Sequence, residues 1–275
     1  MTLDAVAIGA VGAPPRRRRA PSNAVLGVLG LLGLVVVLEV LPRTGIVDSR
    51  FLPPFHEIAQ ALGEQIRLPE FWTALTDTLR GWAIGLGIAM VAGIVLGVVI
   101  GSIPVLRAAT NSTIEFLRPI PSVALIPLAV LLYGTDMRAT LLLVVYASFW
   151  QVLVQVLYGV QDVDPVARET ARSYRFRTFT RVRTVIWPTA LPYVVTGFRL
   201  AAAVALILEV TGELIIGSPG LGNLIAVSQS SGAVASMYAL VVVTGLIGVT
   251  VNVIARQVER RVLRWHPSIR REVAR

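Results

Sequence analysis

The sequence predicts an all-α integral membrane protein with six transmembrane helices. Of its 275 residues, 55% are hydrophobic and only 15% are charged, whereas a soluble domain carries about 25% charged residues. The apolar residues gather in stretches of roughly 20, the length that an α-helix needs to cross the hydrocarbon core of a bilayer. All 25 basic residues are arginines, and most lie between these stretches or at the two ends of the chain. This distribution is typical of a multi-pass membrane protein.

The composition also narrows the chemistry that is open to the chain. A net charge of +9 would favour nucleic-acid binding in a soluble protein, but here the arginines flank apolar spans, so we expect no nucleic-acid partner. The absence of cysteine excludes a disulfide framework and a thiolate metal site. The two histidines, His56 and His266, lie in separate flanking segments. We therefore expect no metal centre and, without a cluster of catalytic residue types, no membrane enzyme.

A basic tail, residues 1–23, precedes the first apolar stretch, Ala24 to Leu41. A signal peptide has a similar pattern, a basic region before an apolar one. This apolar stretch is long enough to cross a membrane, however, and no small-x-small cleavage site follows it. We predict an uncleaved first span whose N-terminal end lies inside the cell.

The next segment, residues 42–76, is expected on the outer side. Within it, Phe55, Ile58, Leu62 and Ile66 recur with a period near 3.6, which predicts a short amphipathic helix. Such a helix lies on the membrane surface or packs on the spans. A simple connector is the alternative interpretation.

The predicted second span, Leu79 to Ile100, is rich in glycine. Glycines let helix backbones approach closely in a bilayer, where there is little hydrophobic drive between helices. The GLG sequence within this span is not followed by the GK[ST] of a phosphate-binding loop, so the chain has no nucleotide site of its own by this criterion. The glycines are at positions 81, 85, 87, 93, 97 and 101.

After an expected inner turn over residues 102–111, the third span contains three prolines, Pro119, Pro121 and Pro127. Proline removes a backbone donor and kinks a helix, which membranes tolerate where protein or a cavity satisfies the freed carbonyls. We predict a broken helix that lines a path, with a purely structural kink as the alternative. Near its start, Glu115 and Arg118 are spaced to pair at i and i+3.

The charge distribution orients the remaining spans. Eighteen arginines fall in the expected inner segments and four in the outer ones, which predicts six spans with both termini cytoplasmic. The predicted permease domain is residues 24–255, followed by a basic cytoplasmic tail, residues 256–275. The fourth, fifth and sixth spans are expected at Ala139–Tyr158, Val194–Ile216 and Met237–Ile254.

An arginine-rich cytoplasmic loop, residues 160–192, separates the fourth and fifth spans. Asp164 and Pro165 are typical of a helix start, as N-cap and first helical residue, and the helix is expected to reach about Tyr174. A second short helix is expected over Thr178–Val185, ending before Pro188. This arrangement would present a basic knob that fits a groove on a soluble partner. Binding of anionic lipid head groups is the alternative.

This loop resembles that of bacterial ABC-importer inner-membrane permeases, whose pattern is EAA, three residues, Gly, nine residues, Ile, one residue and Leu-Pro. The stretch ETARSYRFRTFTRVRTVIWPTALP, residues 169–192, matches it. Two further stretches, FLRPIPSVALIPLAVLLYG and GELIIGSPGLGNLI, and the tail ERRVLRWHPSIR are most similar to the branch that handles sulfonates, taurine and nitrate. The resemblance spans residues 70–270. It places Glu169, Thr170 and Ala171 at EAA, Arg175 at the glycine, Val185 at the isoleucine and Pro188 at the proline.

The resemblance implies a type I ABC-importer permease fold in the bacterial inner membrane. It implies a homodimer of permease subunits, two cytoplasmic ABC ATPase subunits and an extracytoplasmic binding protein that delivers a small anion. ATP and magnesium would be used by the ATPase, so this chain would bind no cofactor and would not be an enzyme. A vitamin precursor or an aromatic carboxylate is an alternative cargo. A self-contained secondary transporter or channel is the alternative outside the family.

The resemblance also assigns roles to residues of the loop. Glu169 and Ala171 would hold the loop helix in a groove of the ATPase, with Arg168, Arg172 and Arg175 at the rim. Arg175 departs from the family pattern, because the usual glycine serves a turn with a left-handed backbone. An arginine in that conformation costs about 1 kcal/mol. Either the turn differs in this chain, or Arg175 makes a compensating contact with the partner.

Three charged residues fall within the fifth span: Arg199, Glu209 and Glu213. Charged groups inside a bilayer are costly and face protein or water, so these residues are candidates for the translocation path or its gate. Glu209 and Glu213 share one helix face. As the alternative, they lie in water at the outer end or cap the following turn. We expect Arg199 to lie near the inner end and to pair with Glu115.

Overall fold

In a computed structural model that describes residues 23–265, every regular element is helical. The predicted N-terminal tail with Arg16 to Arg19, and the C-terminal residues from His266 onward, lie outside the described residues. The helices are α1 Asn23–Arg43, α2 Phe55–Gln65, α3 Pro69–Ser102, α4 Pro104–Leu117, α5 Ile126–Tyr133, α6 Met137–Gln161, α7 Pro165–Ser173, α8 Thr178–Arg181, α9 Trp187–Ile216, α10 Leu221–Ser230 and α11 Val234–Val262, with a 3₁₀ turn at Ser122–Leu125 and a π turn at Val182–Ile186.

Five of the described helices are long and apolar enough to cross a membrane, namely α1, α3, α6, α9 with the turns before it, and α11. A sixth candidate consists of α4 and the segment Ser122–Tyr133, which meet at a bend of 84°. The predicted break in the third span is therefore confirmed. The predicted inner turn at residues 102–111 is wrong, because Pro104 lies in the first turn of α4, where its missing N–H costs nothing.

Helix α6 lies between α3 and α9, and buried residues of α6 and α9 make up most of the main hydrophobic core. The glycines of α3 make this packing possible. A Cβ atom at Gly93 would lie 2.7 Å from Cβ of Val152, and one at Gly97 would lie 2.7 Å from Cβ of Val156. Gly87 differs, because a Cβ there would meet nothing within 4 Å. Most, but not all, of the glycines therefore serve close helix packing.

The amphipathic helix predicted around Phe55 is confirmed as α2, and it packs on α11. Ile58 and Ala61 of α2 form a small buried cluster with Ala239 of α11. Helix α1 is nearly unburied along its length and contacts α2 at its C-terminal end. There Glu39 accepts hydrogen bonds from the backbone N–H of His56, at 3.1 Å, and from Arg43.

The start of α9 departs from the prediction. The second loop helix does not end before Pro188 but continues through the π turn into α9, so residues 178–216 form one continuous helical segment. Pro188 has no N–H to offer the preceding turn, and a π turn is one way in which a helix adapts to a missing bond. At the other end of the chain, α11 continues to Val262, well past the predicted end at Ile254.

Candidate functional site

The loop between α6 and α9 begins with the predicted helix. Asp164 caps α7 by accepting a hydrogen bond from the backbone N–H of Val166 at 2.8 Å, and Pro165 occupies the first turn. The helix ends at Ser173 with Tyr174 as its C-cap. The first loop helix is therefore confirmed at both ends, and its start follows from ordinary capping chemistry.

The two faces of α7 have different environments. Glu169 and Arg172 are exposed, and neither side chain makes a hydrogen bond or an ion pair within the described part of the chain. Ala171, by contrast, is 3% exposed, and Arg168 donates a hydrogen bond to the carbonyl of Val160, at the end of α6, at 3.1 Å. In this conformation Ala171 and Arg168 therefore attach α7 to its own chain, and their roles in an ATPase groove and at its rim stay a prediction.

The turn after α7 keeps the conformation that normally requires glycine. Arg175 has φ +52°, and it is the one non-glycine residue with positive φ among residues 23–265. The N–H of Phe176 bonds to the carbonyl of Ala171 at 3.0 Å, and the N–H of Arg175 bonds to that of Arg172 at 2.8 Å. This is the Schellman pattern that ends helices with a left-handed residue. Of the two alternatives, a different turn is therefore excluded.

The exposed side of the loop combines arginines with aromatic side chains. Tyr174 is 74% exposed and Phe179 is 76% exposed. Thr170 is also exposed, and its hydroxyl donates to the carbonyl of Val166 within its own helix at 2.8 Å. Val185 is half-buried against the core and Pro188 is exposed at the start of α9. We use the name loop surface for six exposed charged or aromatic residues of this loop: Glu169, Arg172, Tyr174, Arg175, Arg177 and Phe179.

In the transmembrane part, Glu213 is buried rather than in water, being 0% exposed. Its Oε2 accepts a hydrogen bond from the N–H of Gly222 at 2.8 Å and one from the hydroxyl of Thr78 at 3.0 Å. Thr78 in turn accepts a hydrogen bond from the N–H of Leu221 at 2.9 Å. Glu213 and Thr78 thus cap α10 together, as one of the two interpretations of Glu213 expected. Sequence reasoning missed Thr78, which lies just before the predicted second span.

Glu209, one turn earlier on α9, is 2% exposed. Its carboxyl group lies against Gly81 of α3, where a side chain larger than hydrogen would overlap it. One of its oxygens, Oε2, has no hydrogen-bond partner within the described residues. Glu209 and Glu213 therefore lie in the wall between α3 and α9, and neither is exposed on the surface of this chain.

Arg199 pairs with a different residue from the one predicted. Its Nη1 donates to Oε2 of Glu259 on α11 at 3.4 Å. Glu115 instead accepts a hydrogen bond from the Asn111 amide at 2.9 Å and is paired with neither Arg199 nor Arg118. The reason is positional, because α4 packs on α3, whereas α9 and α11 are neighbours. Glu259 falls in the segment predicted as the basic tail, so spacing along the chain carries no signal for this pair.

The three prolines lie at the bend between α4 and α5. Pro119 and Pro121 fall in the break after Leu117, and Pro127 lies in the first turn of α5. All three are exposed on the surface of this chain. The bend therefore leaves a non-helical segment uncovered by the chain itself.

Comparison with solved structures supports the fold. An inward-facing methionine ABC transporter, MetNI, matches with a TM-score of 0.61 at 18% identity, over 70% of this chain and 98% of that one. A bacterial ABC transporter involved in the import of alginate matches with a TM-score of 0.62 at 13% identity, over 87% of this chain and 96% of that one. At such identities the likeness extends to the fold alone.

The relatives by sequence are permeases. The putative aliphatic sulfonates transport permease of Bacillus subtilis (strain 168) is 26% identical over 242 residues, which is 88% of each chain. The taurine transport system permease of Escherichia coli (strain K12) is 29% identical over 229 residues, covering 82% of this chain and 83% of that one. The nitrate import permease of Leptolyngbya laminosa is 24% identical over 193 residues, covering 70% and 69%.

The model of one family matches residues 61–264, a range that includes the loop surface and the α10 cap. Its members are permease subunits rather than enzymes, in agreement with the relatives above. The chain belongs to the binding-protein-dependent transport system inner membrane component family.

Proposed function

We propose that this chain is the permease subunit of an ATP-driven importer, with six spans and both termini in the cytoplasm. The observation that carries the proposal is the loop surface, in which Glu169, Arg172 and Arg175 project from α7 and its turn without partners in the described part of the chain. Charged groups exposed in this way suit a complementary groove on a soluble subunit. The arginine asymmetry of the loops supports the orientation.

The partners follow from this assignment. Two cytoplasmic ABC ATPase subunits would each receive one loop, so two permease copies would be needed, and a homodimer provides them. ATP and magnesium would be bound by the ATPase subunits, and an extracytoplasmic binding protein would deliver the cargo. Closure of the ATPase dimer would press on α7, and the continuous segment of residues 178–216 would transmit this movement into the membrane.

The cargo is proposed to be a small anion of the sulfonate, taurine or nitrate type. The relatives with these names support this class, at 24–29% identity. In the pathway, the bend at Pro119, Pro121 and Pro127 is a natural moving element because its backbone is not helical. Glu209 and Glu213 act as structural or gating groups within the wall, since both are buried away from the surface of this chain.

A detergent pull-down of the tagged chain from its native host, followed by mass spectrometry, tests the proposal. We expect an ATPase with Walker motifs in about equal amount to the permease. Glu169→Lys should abolish this association, because it reverses the charge of an exposed residue on the loop surface, while membrane insertion is unchanged. Glu57→Lys, a charge reversal on the exposed face of α2, is the matched control. Retention of the ATPase by Glu169→Lys would contradict the docking assignment.

A further inference from the structure

A groove runs along the surface between α9 and α11, with a volume of about 420 Å³. This size is within the range of about 300–1,000 Å³ that is usual for small-molecule sites. The groove exists because Ala203 of α9 and Gly245 and Gly248 of α11 line it with little side-chain bulk. A Cβ atom at Gly245 would meet nothing within 4 Å. The space is therefore available without any change in the packing of the two helices.

One positively charged side chain, that of Arg199, lines this groove among the apolar residues of both helices. The Arg199 side chain lines the groove and is 41% exposed. A guanidinium carries five N–H donors, and the ion pair with Glu259 uses one of them, at 3.4 Å. A charge at such a position is too costly to face lipid and must face protein, water or a ligand.

Other polar groups line the same groove. Asn252 lies on the facing helix, and its side-chain amide makes no hydrogen bond within residues 23–265. Thr211 adds a hydroxyl group further along, whereas the hydroxyl of Thr244 donates to the carbonyl of Val241 in its own helix at 2.8 Å. The acidic residues of α9 are absent from the lining, because Glu209 lies against Gly81 on the α3 side and Glu213 caps α10. The groove thus combines a cation and neutral donors with an apolar floor.

We propose that this groove holds the translocated anion, with Arg199 as its charged contact and Asn252 as a second donor. The inference rests on the proposed importer function and adds to it the place at which the cargo touches this chain. A charge-assisted hydrogen bond to sulfonate, carboxylate or nitrate oxygens is the interaction that a guanidinium makes best. Because Glu209 and Glu213 lie on the α3 side, they do not repel an anion in this groove; Glu259, which pairs with Arg199 at 3.4 Å, is the carboxylate beside the cation and is not part of the groove lining.

The test uses the permease with its ATPase and binding protein in proteoliposomes, supplied with ATP and with labelled taurine, an alkanesulfonate or nitrate. Arg199→Gln should lower the initial uptake rate about tenfold or more, because it removes one charge-assisted hydrogen bond to the anion. ATP hydrolysis should continue in this variant. Arg199→Lys should retain more uptake than Arg199→Gln. Glu259→Gln is the control: it removes the ion pair but keeps the cation, so uptake should persist.

A second variant tests the groove without touching its charges. Gly245→Leu adds a side chain where nothing lies within 4 Å, so it should fill the groove and lower uptake while the amount of assembled complex stays the same. Gly87→Leu is the matched control, since Gly87 is equally open but belongs to α3.

The outcomes distinguish a failure of the proposed importer function from a failure of the proposed anion site. Uptake of none of these anions by the wild-type complex overturns the proposed function and the inference together. Anion uptake that survives both Arg199→Gln and Gly245→Leu overturns the inference alone. Equal losses in Arg199→Gln and Glu259→Gln reduce Arg199 to a structural ion pair. If Gly245→Leu prevents assembly of the complex, the groove is covered by a second copy and does not hold the anion.

Discussion

At the scale of single residues, Arg175 stands where the family pattern has glycine, yet the turn keeps the left-handed backbone conformation that favours glycine. Its φ of +52° and the two hydrogen bonds of the turn retain the glycine-type helix end. The sequence indicated that this position would be costly. It did not indicate whether the turn would change, because the hydrogen bonds that hold the turn are made by backbone atoms of four neighbouring residues.

Arg175→Gly should stabilise the loop by about 1 kcal/mol, because it removes the clash of a side chain in the left-handed region. Hydrogen exchange of the loop amides, measured by mass spectrometry, is the readout, and exchange should slow. Arg172→Gly is the control, since it places glycine within α7 and should destabilise the helix by about 1 kcal/mol. Faster exchange in both variants would contradict a left-handed Arg175.

Thr78 is a second residue whose role follows only from the folded structure. Its hydroxyl donates to Glu213 and accepts from the N–H of Leu221. Thr78→Val should destabilise the protein by about 1–3 kcal/mol, because it leaves the buried N–H of Leu221 without a partner and removes one of the two hydrogen bonds that Oε2 of Glu213 accepts. The thermal unfolding midpoint of the detergent-purified chain is the measurement.

Thr76→Val is the matched control for this prediction. The Thr76 hydroxyl bonds to the carbonyl of Trp72 in its own helix at 2.7 Å, and the residue is exposed. Its replacement should therefore change the midpoint little. Equal midpoint shifts in the two variants would show that the cap of α10 contributes nothing.

At the scale of helices, α3 and α6 pack closely because glycines on one face valines on the other. The methyl group of Gly97→Ala would lie 2.7 Å from Cβ of Val156. We therefore expect overpacking to lower the free energy of unfolding by about 1–3 kcal/mol. The additional change Val156→Ala should restore part of this loss, because the two sites are in contact. The midpoint of thermal unfolding reports both effects.

Gly87→Ala provides the comparison on the same helix, since its Cβ would meet nothing within 4 Å. It should be neutral or slightly stabilising, as expected for alanine in place of glycine in a helix. If Gly97→Ala and Gly87→Ala have the same thermal unfolding midpoint, the prediction that α3 and α6 approach closely at Gly97 is wrong.

Most helices could be predicted because their signals are local. The proline break, the Asp164 cap and the period of α2 each depend on a few neighbouring residues, and all three are confirmed. Tertiary pairs could not be predicted in this way. Arg199 meets Glu259 rather than Glu115 because α9 lies beside α11, a fact of topology that spacing along the chain does not contain.

Helix α10 was missed for a related reason. The stretch Gly217–Ser236 is rich in glycine and serine, which favours a loop. Its helix begins where Thr78 and Glu213 satisfy the backbone N–H groups of Leu221 and Gly222. These caps come from α3 and α9, and the Thr78 cap lies more than a hundred residues away in sequence.

At the scale of the whole molecule, we propose that this chain forms a membrane pathway whose conformation is changed by a partner. The family, the apolar helices and the exposed loop surface all support this division of labour. The groove between α9 and α11 then lies on the helix that continues directly from the loop. Force on α7 would pass through its contact with the π turn, and from α8 onward it would reach Arg199 through a single helical segment.

The most direct measurement is anion uptake into proteoliposomes that contain this chain, with and without its co-purified ATPase, in the presence of the binding protein. We expect uptake with the ATPase and ATP, and none when the ATPase is omitted or when ATP is replaced by a non-hydrolysable analogue. Uptake by the chain alone, driven by an ion gradient, would contradict the account and establish a self-contained secondary transporter.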